Sequence, residues 1–340
     1  MKNHLNLFVL ISLIIAGCEK KETPRPQVYY DADVLILNEG NFGQGNATID
    51  LYNASNKTIQ NDVFRSNNLG RPIGDVIQSM YISNDTGFVV VNNSQKVEMV
   101  NLENLTSVGT INGFNSPRYF LPLGNNKAYV SDLYANAIQV VDIKRRVITA
   151  NIPTNGWTEE MTQIDDTVYV TDMTNNELIR IDKTADTILG RTTLIRQPNS
   201  IVVDKNSNVW VLCSGGFDEV LPRLYQISTS GFIVQFFEFQ SISMSPGNLI
   251  IDSNGEELYY LNESVFHHSI SASALENNPL IPNESRLLYG LGFHPTRNEL
   301  YVSDAIDYQQ NGIVYRYLKS GELIHQFRAG IIPGSFQFIP

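Results

Sequence analysis

The chain has 340 residues and a formal net charge of −11, from 24 Lys and Arg against 35 Asp and Glu. An acidic chain of this kind is a poor partner for nucleic acid or for an anionic membrane surface, so neither is expected as a ligand. Its length alone suggests two domains.

The first seventeen residues have the form of an export signal. Lys2 precedes an apolar run, Leu5–Ala16, that is too short to span a bilayer permanently. The run leads into Ile-Ile-Ala-Gly-Cys at 14–18, which resembles the bacterial lipobox. This resemblance implies cleavage before Cys18 and acylation of its thiol; the alternative is an ordinary secretory signal that happens to contain a cysteine.

Residues 18–32 are predicted to be the lipidated cysteine and a tether. The stretch EKKETPR (19–25) is charged and has no core residues. Acyl chains on Cys18 would contribute about 0.8 kcal/mol per buried methylene, and no second hydrophobic segment follows. We therefore expect a protein that is anchored to a membrane without crossing it. Cys213 then has no disulfide partner, and we expect it to be buried and unreactive.

From residue 33 onwards the chain repeats a unit of three short strands. The clearest copy, Tyr129–Thr154, has two segments of alternating apolar and polar residues and a β-branched third segment. A polar residue or a cysteine ends the first strand of each of seven copies, at residue numbers that differ successively by 54, 40, 40, 41, 49 and 42. These residues are Asn38, Asn92, Asp132, Asp172, Cys213, Asn262 and Asp304.

A period near forty residues is typical of a four-stranded β-propeller blade. The fourth strand is predicted just ahead of six copies, at 75–82, 117–123, 160–164, 198–203, 246–251 and 288–293. The first copy has none, but PGSFQFIP at 333–340 resembles PGNLIID at 246–252. We therefore predict one all-β domain over 33–340, a seven-bladed β-propeller whose first blade is closed by the C-terminal strand. Recurrent aromatic residues should fill the wedges between blades: Tyr129, Tyr169, Trp210, Tyr259 and Tyr301.

The loops divide into two sets that lie on opposite faces. One set is short and polar, as hairpin turns are, at 124–127, 144–146, 165–167, 204–208, 252–256 and 319–322. The other set is long and irregular, at 38–46, 112–118, 154–160, 213–223, 262–269 and 304–312. Variable loops on a rigid scaffold tend to carry function, so the second face is the candidate binding face.

The candidate ligand-binding residues of this face are aromatic, amide or charged. They are Asn38, Glu39, Phe42, Asn92, Arg118, Asp132, Tyr134, Trp157, Asp172, Asn262 and Asp304. Together they suit a large polar molecule with apolar faces, because aromatic rings stack and amides orient a ligand. Each has a simpler interpretation: the Asn and Asp side chains would cap the turn after a strand, and the rings would be packing lids.

Catalytic patterns are scarce in the sequence. It contains no Gly-x-Ser-x-Gly elbow and no phosphate-binding loop, and its five histidines lack metal-ligand spacing. We therefore expect no catalytic residue, no metal and no cofactor.

The repeated YVSD…I.V.D…V pattern resembles the YncE-like seven-bladed propellers. The stretch LNEGNFGQGNATIDLYN at 37–53 resembles the start of blade one in lipoproteins of the Bacteroidetes, with its Asn-Glu-Gly-Asn motif. Some of these relatives capture cobalamin at the cell surface above a TonB-dependent transporter. The resemblance implies a lipid-anchored outer-membrane protein that binds a small-molecule nutrient, with outer-membrane lipid and a transporter as partners; a location on the periplasmic face stays open.

Two other functions stay open. Some six-bladed relatives are metal-dependent lactonases or lyases that use Glu, Asn and Asp in the axial channel, and Glu39, Asn92, Asp132 and Asp172 could imitate that set. The other alternative is a protein-binding scaffold within an envelope complex.

Overall fold

The computed structural model describes residues 33–339, which form seven antiparallel sheets. The predicted signal peptide, Cys18 and the tether lie outside the described residues, as does Pro340. The sheets are arranged in a ring, because the inner strand of each contacts the inner strands of its two neighbours. The predicted seven-bladed β-propeller is therefore confirmed.

The blades are numbered in chain order and their strands run from the channel outwards. Blade 1 consists of β27 (Pro333–Phe338), β1 (Val34–Asn38), β2 (Thr48–Asn53) and β3 (Thr58–Gln60). Blade 2 consists of β4 (Ile77–Ser83), β5 (Thr86–Val91), β6 (Lys96–Asn101) and β7 (Ser107–Asn112). Blade 3 consists of β8 (Pro117–Gly124), β9 (Lys127–Asp132), β10 (Ala137–Asp142) and β11 (Val147–Pro153). Blade 4 consists of β12 (Thr158–Ile164), β13 (Thr167–Asp172), β14 (Glu177–Asp182) and β15 (Thr187–Thr193).

The remaining blades follow the same order. Blade 5 consists of β16 (Pro198–Val203), β17 (Val209–Cys213), β18 (Arg223–Ile227) and β19 (Ile233–Glu238). Blade 6 has β20 (Gly247–Ile251), β21 (Glu257–Asn262) and β22 (Ser264–Ser269). Blade 7 consists of β23 (Leu288–His294), β24 (Glu299–Asp304), β25 (Asn311–Leu318) and β26 (Leu323–Ile331). A short helix, α1 (Val63–Asn67), and a 3₁₀ turn, Asn92–Ser94, complete the elements of the described chain.

The ring is closed by the C-terminal strand, as predicted. β27 pairs antiparallel with β1, from Val34 opposite Phe338 to Asn38 opposite Pro333. Its Phe336 is buried in a cluster with Val34, Ile36 and Tyr301, so blade 7 also packs on it. The C-terminal strand thus joins the last blade to the first and leaves no open inner edge.

The hydrophobic core is divided into clusters that each bridge two neighbouring blades. Tyr129 of blade 3 packs with Val168 and Val170 of blade 4, and Tyr169 of blade 4 packs with Val209 of blade 5. All five recurrent aromatic residues are at most 1 % exposed. Their predicted position between blades is confirmed, because rings of this size fill the wedge that opens as flat blades diverge from the axis.

Blade 6 departs from the prediction in two ways. The segment 262–269 was predicted to be a long loop of the binding face, but 264–269 is strand β22, which pairs antiparallel with β21 from Asn262 opposite Ser264 to Glu257 opposite Ser269. Blade 6 also has three strands, and its outer strand is replaced by an irregular segment that makes an isolated bridge between Val265 and Ile281. Phe266, expected on a loop, stacks on Tyr260 within the core.

Other features agree with the sequence. The short polar loops are tight turns, and Cys213 is fully buried as expected, with its pKa raised by burial. Within residues 33–339, no helix has the length and apolar character needed to cross a membrane.

Candidate ligand site at the mouth of the central channel

The inner strands of all seven blades surround an axial cavity of about 540 Å³. The second residue of each inner strand lines this cavity near the face of the long loops, and we call this set the mouth ring. Its members are Gln78, Arg118, Glu159, Asn199, Asn248, Tyr289 and Gly334. Two residues further along, at the fourth position, apolar side chains form a floor: Met80, Met161, Ile250, Leu291 and Phe336.

Arg118 is the centre of a preformed polar network. Its guanidinium donates two hydrogen bonds to the Glu159 carboxylate, from Nε to Oε2 at 2.9 Å and from Nη2 to Oε1 at 2.5 Å. Nη1 donates to Oε1 of Gln78. Trp157 donates its indole N–H to Glu159 Oε2 at 2.5 Å, and its ring lies 5.8 Å from the guanidinium carbon. Burial opposes the charge of Arg118, but the adjacent Glu159 carboxylate raises its pKa above the ordinary value.

Glu39 supplies the side chain that blade 1 lacks in this ring. The second residue of the blade 1 inner strand is Gly334, and a Cβ there would overlap the Glu39 side chain. Glu39 Oε2 accepts a hydrogen bond of 3.1 Å from the hydroxyl of Tyr289. Burial raises the pKa of Glu39 to about 7, against the opposing effects of Tyr289 and Arg118. A carboxyl group that titrates near neutral pH therefore lines the cavity.

The Asn-Glu-Gly-Asn segment at 38–41 holds Glu39 in place. Asn38 donates to Thr48 Oγ1 at 3.0 Å and accepts from the Gly330 N–H at 3.1 Å. Gly40 has φ +71° and no room for a Cβ against the backbone of Ala47, so a side chain there would be strained and would clash. The motif thus fixes the backbone so that the Glu39 carboxyl group lies at the channel.

Another carboxyl group, that of Glu160, lines the cavity next to Glu159 on the inner strand of blade 4. Glu160 accepts a hydrogen bond of 3.0 Å from the backbone N–H of Ile201 on the next inner strand. Burial, with the nearby charge of Glu159, raises the pKa of Glu160 to about 8, although the Ile201 N–H, Tyr119 and Arg118 oppose this. Burial also raises the pKa of Tyr119 well above its ordinary value, so the phenol stays protonated.

The predicted Asp residues lie at strand ends outside the cavity lining. Asp132 accepts four backbone N–H groups, from Asn115, Ser116, Tyr134 and Ala135, at 2.8–3.0 Å. Backbone N–H groups are bound in the same way by the other two predicted Asp residues, Asp172 and Asp304. These contacts are those of turn caps, the simpler of the two interpretations of such residues.

The predicted amides are engaged in comparable ways. Asn92 donates to the Ser116 hydroxyl at 2.9 Å and to the Pro117 carbonyl at 3.0 Å, which ties blade 2 to blade 3. Asn262 lines a different cavity, of about 330 Å³, on the outer rim between blades 5 and 6. Of the eleven predicted residues, the structure brings Glu39 and Arg118 together in the axial cavity, with Trp157 packed behind them.

The two remaining predicted aromatics are on the surface. Phe42 is 76 % exposed and Tyr134 is 67 % exposed. They lie on loops of the same face as the mouth ring, where they are free to contact a molecule that extends out of the channel. Their role as ligand contacts stays a prediction.

The set expected for a metal-dependent lactonase is not assembled. Of Glu39, Asn92, Asp132 and Asp172, Glu39 is the member that lines the axial cavity. Across residues 33–339 there is no cluster of three or more His, Cys, Asp or Glu side chains able to hold a metal ion.

Several residues of the site were missed at the level of the sequence. These residues, Gln78, Glu159, Asn199 and Asn248, each follow directly on the first residue of an observed inner strand. The observed inner strands, aligned on their first residue, show these residues as one ring, but the strands predicted to begin at 75, 160 and 246 begin at 77, 158 and 247. The ring is thus a pattern at strand starts, and the predicted starts did not reveal it.

Structural comparison places the fold among propellers of varied activities. The chain is similar to a quinonprotein alcohol dehydrogenase-like protein from Bacteroides thetaiotaomicron, with 17 % identity, a TM-score of 0.72 and coverage of 91 % of this chain and 78 % of that one. It is similar to a periplasmic gluconolactonase of Pseudomonas aeruginosa, with 10 % identity, a TM-score of 0.69 and coverage of 91 % and 99 %. A putative 6-phosphogluconolactonase of Bacteroides fragilis has 12 % identity, a TM-score of 0.67 and the same coverage.

At such identities these likenesses establish the fold alone. None of the curated proteins compared with the chain matches it. Residues 33–330 match the model of the family described as a domain of unknown function, DUF5074, and the chain belongs to that family.

Proposed function

We propose that this chain is a non-catalytic binding protein, anchored in the outer membrane through acylated Cys18, that captures a small-molecule nutrient at the mouth ring for a TonB-dependent transporter. The observation that carries the proposal is the preformed polar cavity on the propeller axis. Its volume of about 540 Å³ falls within the range of small-molecule sites. Arg118, Glu159 and Trp157 already hold one another, so little ordering is needed on binding.

The cavity also bears on the size of the ligand. A corrinoid such as cobalamin is too bulky for the channel and would rest across its mouth with one group inserted. The exposed rings of Phe42 and Tyr134 are available to such a molecule on this face. A smaller nutrient would enter the cavity entirely.

The direction of the chain supports an anchor on the opposite side. β1 ends at Asn38 on the face of the mouth ring, so it begins at Val34 on the other face. A lipid anchor at Cys18 would therefore be connected to the face away from the mouth, which leaves the mouth open to ligand. Cys18→Ala should release the chain from the membrane; a variant that still partitions with outer membrane after alkaline washing would contradict the anchor.

The binding function is tested by equilibrium dialysis of the full chain in detergent. Cobalamin is the first probe, followed by a bacterial metabolite extract read by mass spectrometry. Removing the buried pair together, Arg118→Ala with Glu159→Ala, should weaken retention at least tenfold, and the outer-rim pair Arg191→Ala with Glu177→Ala is the matched control. Equal retention by both double variants would contradict the proposed site.

A second candidate function rests on the pKa of Glu39. A carboxyl group with a pKa of about 7 beside a tyrosine hydroxyl is suited to general acid–base chemistry at neutral pH. The candidate reaction is hydrolysis of a sugar lactone, the class named for two of the structural neighbours. Lactone turnover that is lost in Glu39→Gln, measured with and without divalent metal ions, would favour this function over capture.

A further inference from the structure

We infer that the axial cavity takes a small organic cation, with its positive group balanced by Glu39 and Glu160 and its apolar body on the floor of the channel. The inference rests on the proposed function, since it names the class of ligand that the mouth ring binds. The charges of the cavity, the pairing of Arg118 with Glu159 and the apolar lining all favour such a ligand.

The charges of the cavity are unequal. Among its lining residues, Glu39, Glu159 and Glu160 are acidic and Arg118 is basic. With all four ionised, the lining carries two more negative than positive charges. A cavity with walls of low dielectric constant focuses such a charge, so the lining favours cations and disfavours anions.

The charge of the single arginine is already balanced by a carboxylate, that of Glu159. Nε and Nη2 of Arg118 are directed at Glu159, and Nη1 at Gln78. An incoming carboxylate or phosphate that took the place of Glu159 would leave that buried carboxylate unpaired, which is strongly unfavourable. Arg118 therefore serves to fix Glu159, and the carboxyls left to balance the charge of a bound cation are Glu39 and Glu160.

The groups around Glu39 and Glu160 determine how binding of a cation depends on pH. Tyr289 and Arg118 face Glu39, while Tyr119, Glu159 and Arg118 face Glu160. Burial raises both pKa values, to about 7 and about 8, so protonated forms are favoured in the empty cavity near neutral pH. A bound cation favours the ionised forms instead. Binding should therefore release protons, and affinity should increase as the pH is raised from 6 to 8.

The apolar floor of the cavity indicates that the uncharged part of the ligand is apolar. Met80, Leu291 and Phe336 are at most 7 % exposed and Ile250 is half-buried, and all four line the cavity. An apolar wall beside acidic groups suits an aryl or alkyl amine better than a hydrated metal ion. The lack of a three-ligand cluster among residues 33–339 points the same way.

Three probes of nearly equal size separate the charge classes: phenethylamine, 2-phenylethanol and phenylacetate. Calorimetric titration into the full chain in detergent should show phenethylamine binding at least tenfold more tightly than either of the others at pH 8. Glu39→Gln and Glu160→Gln should each weaken the amine about tenfold and leave the alcohol unchanged. Glu276→Gln, an acidic residue of the rim cavity, is the control. The wild-type pH dependence gives an independent reading that needs no variant.

The possible outcomes are distinct. Tighter binding of phenylacetate, affinity for the amine that falls as pH rises, or complete displacement of the amine by millimolar calcium chloride would each overturn the ligand class. Absence of saturable amine binding would overturn it too. In every one of these cases, retention of another metabolite that is lost with Arg118→Ala and Glu159→Ala would leave the binding function standing.

Discussion

Two rings of polar residues on the same face of this propeller differ in a way that separates structure from function. The strand-end ring repeats nearly the same residue in each blade: Asn38, Asn92, Asp132, Asp172, Cys213, Asn262 and Asp304. The mouth ring has three amides, a guanidinium, a carboxylate, a phenol and a glycine at equivalent positions. The Asn or Asp that recurs in six of the seven blades meets a need that those blades share. A position that differs from blade to blade is free to build one site for the whole molecule.

The contacts of the two rings agree with this division. Asp132 satisfies four backbone N–H groups of its own and the preceding loop. Arg118 and Glu159 contact each other, Gln78 and Trp157, and all but Trp157 face the axial cavity. Changes in the strand-end ring should therefore alter stability, and changes in the mouth ring should alter binding.

The largest effect should come from the scaffold that both rings share. Truncation after Gly330 removes β27, which leaves β1 with an unpaired edge and exposes the cluster around Phe336. We expect a loss of several kcal/mol from the roughly 5–15 kcal/mol that stabilises a domain. Thermal unfolding checks this, with truncation after Phe338 as the control that retains the strand. An unchanged midpoint after Gly330 would mean that blade 1 closes in another way.

A large loss of stability is also expected from the strand-end ring. Asp132→Ala leaves four backbone N–H groups without their acceptor, and we expect a cost of about 3 kcal/mol, since a hydrogen bond to a charged group contributes roughly 1.5–3 kcal/mol. Ligand retention by the folded fraction should not change. Asp182→Ala, at an exposed turn of the opposite face, should cost less. Weaker binding at unchanged stability would place Asp132 in the ligand site.

The pH dependence of unfolding should show that the Glu39 carboxyl group is buried beside the mouth ring. Its folded pKa of about 7 lies above the ordinary 4.5, so the folded state holds this proton more tightly than the unfolded state does. The stabilisation is complete below pH 4.5 and is lost as the pH rises through 7. Glu39→Gln should remove this contribution, keep that of Glu160, and be more stable than wild type at pH 8, by on the order of 2 kcal/mol. Denaturant titrations at pH 5 and pH 8 measure it; parallel curves for both proteins would contradict it.

The smallest change in stability should accompany a clear change in binding. Gly334→Ala forces the Glu39 side chain out of its place beside Tyr289, because the new Cβ overlaps it. Affinity should fall at least tenfold, equivalent to about 1.4 kcal/mol, while the free energy of unfolding changes by less than about 1 kcal/mol. In Gly247→Ala the new Cβ lies 3.6 Å from its nearest neighbour, Asn199, so Glu39 should stay in place. Equal affinities in the two variants would show that Glu39 does not contact the ligand.

Much of the scaffold was predictable because propeller blades are repeats with strong local signals. The inner strands, the closing strand at 333–340 and the buried aromatics such as Tyr169 follow from alternation and from a period near forty residues. The third strand of blade 6 was not predictable in this way, because a segment with His267 and His268 looks like a polar loop. In the structure, His268 is fully buried against Trp210 and Phe237. Tertiary packing overrode the local pattern there.

The site was harder to predict than the fold. Glu39 and Tyr289 are 250 positions apart in the chain and meet because the first and last blades are neighbours in the ring. Glu39 has space because residue 334 is a glycine, and a Cβ there would overlap its side chain. A glycine at one position of one repeat does not stand out in a periodic pattern. Strand ends stood out because they repeat, whereas the starts of inner strands are dissimilar and became a set once the strands converged on the axis.

Binding of the ligand in the mouth ring can be tested by a crystal structure of the full chain with its captured ligand. We expect ligand density in the axial cavity, within hydrogen-bonding distance of Glu39 and beside the Arg118–Glu159 pair. Density confined to the turns at 124–127 and 319–322, to the rim cavity by Asn262, or to the strand-end carboxylates would contradict it.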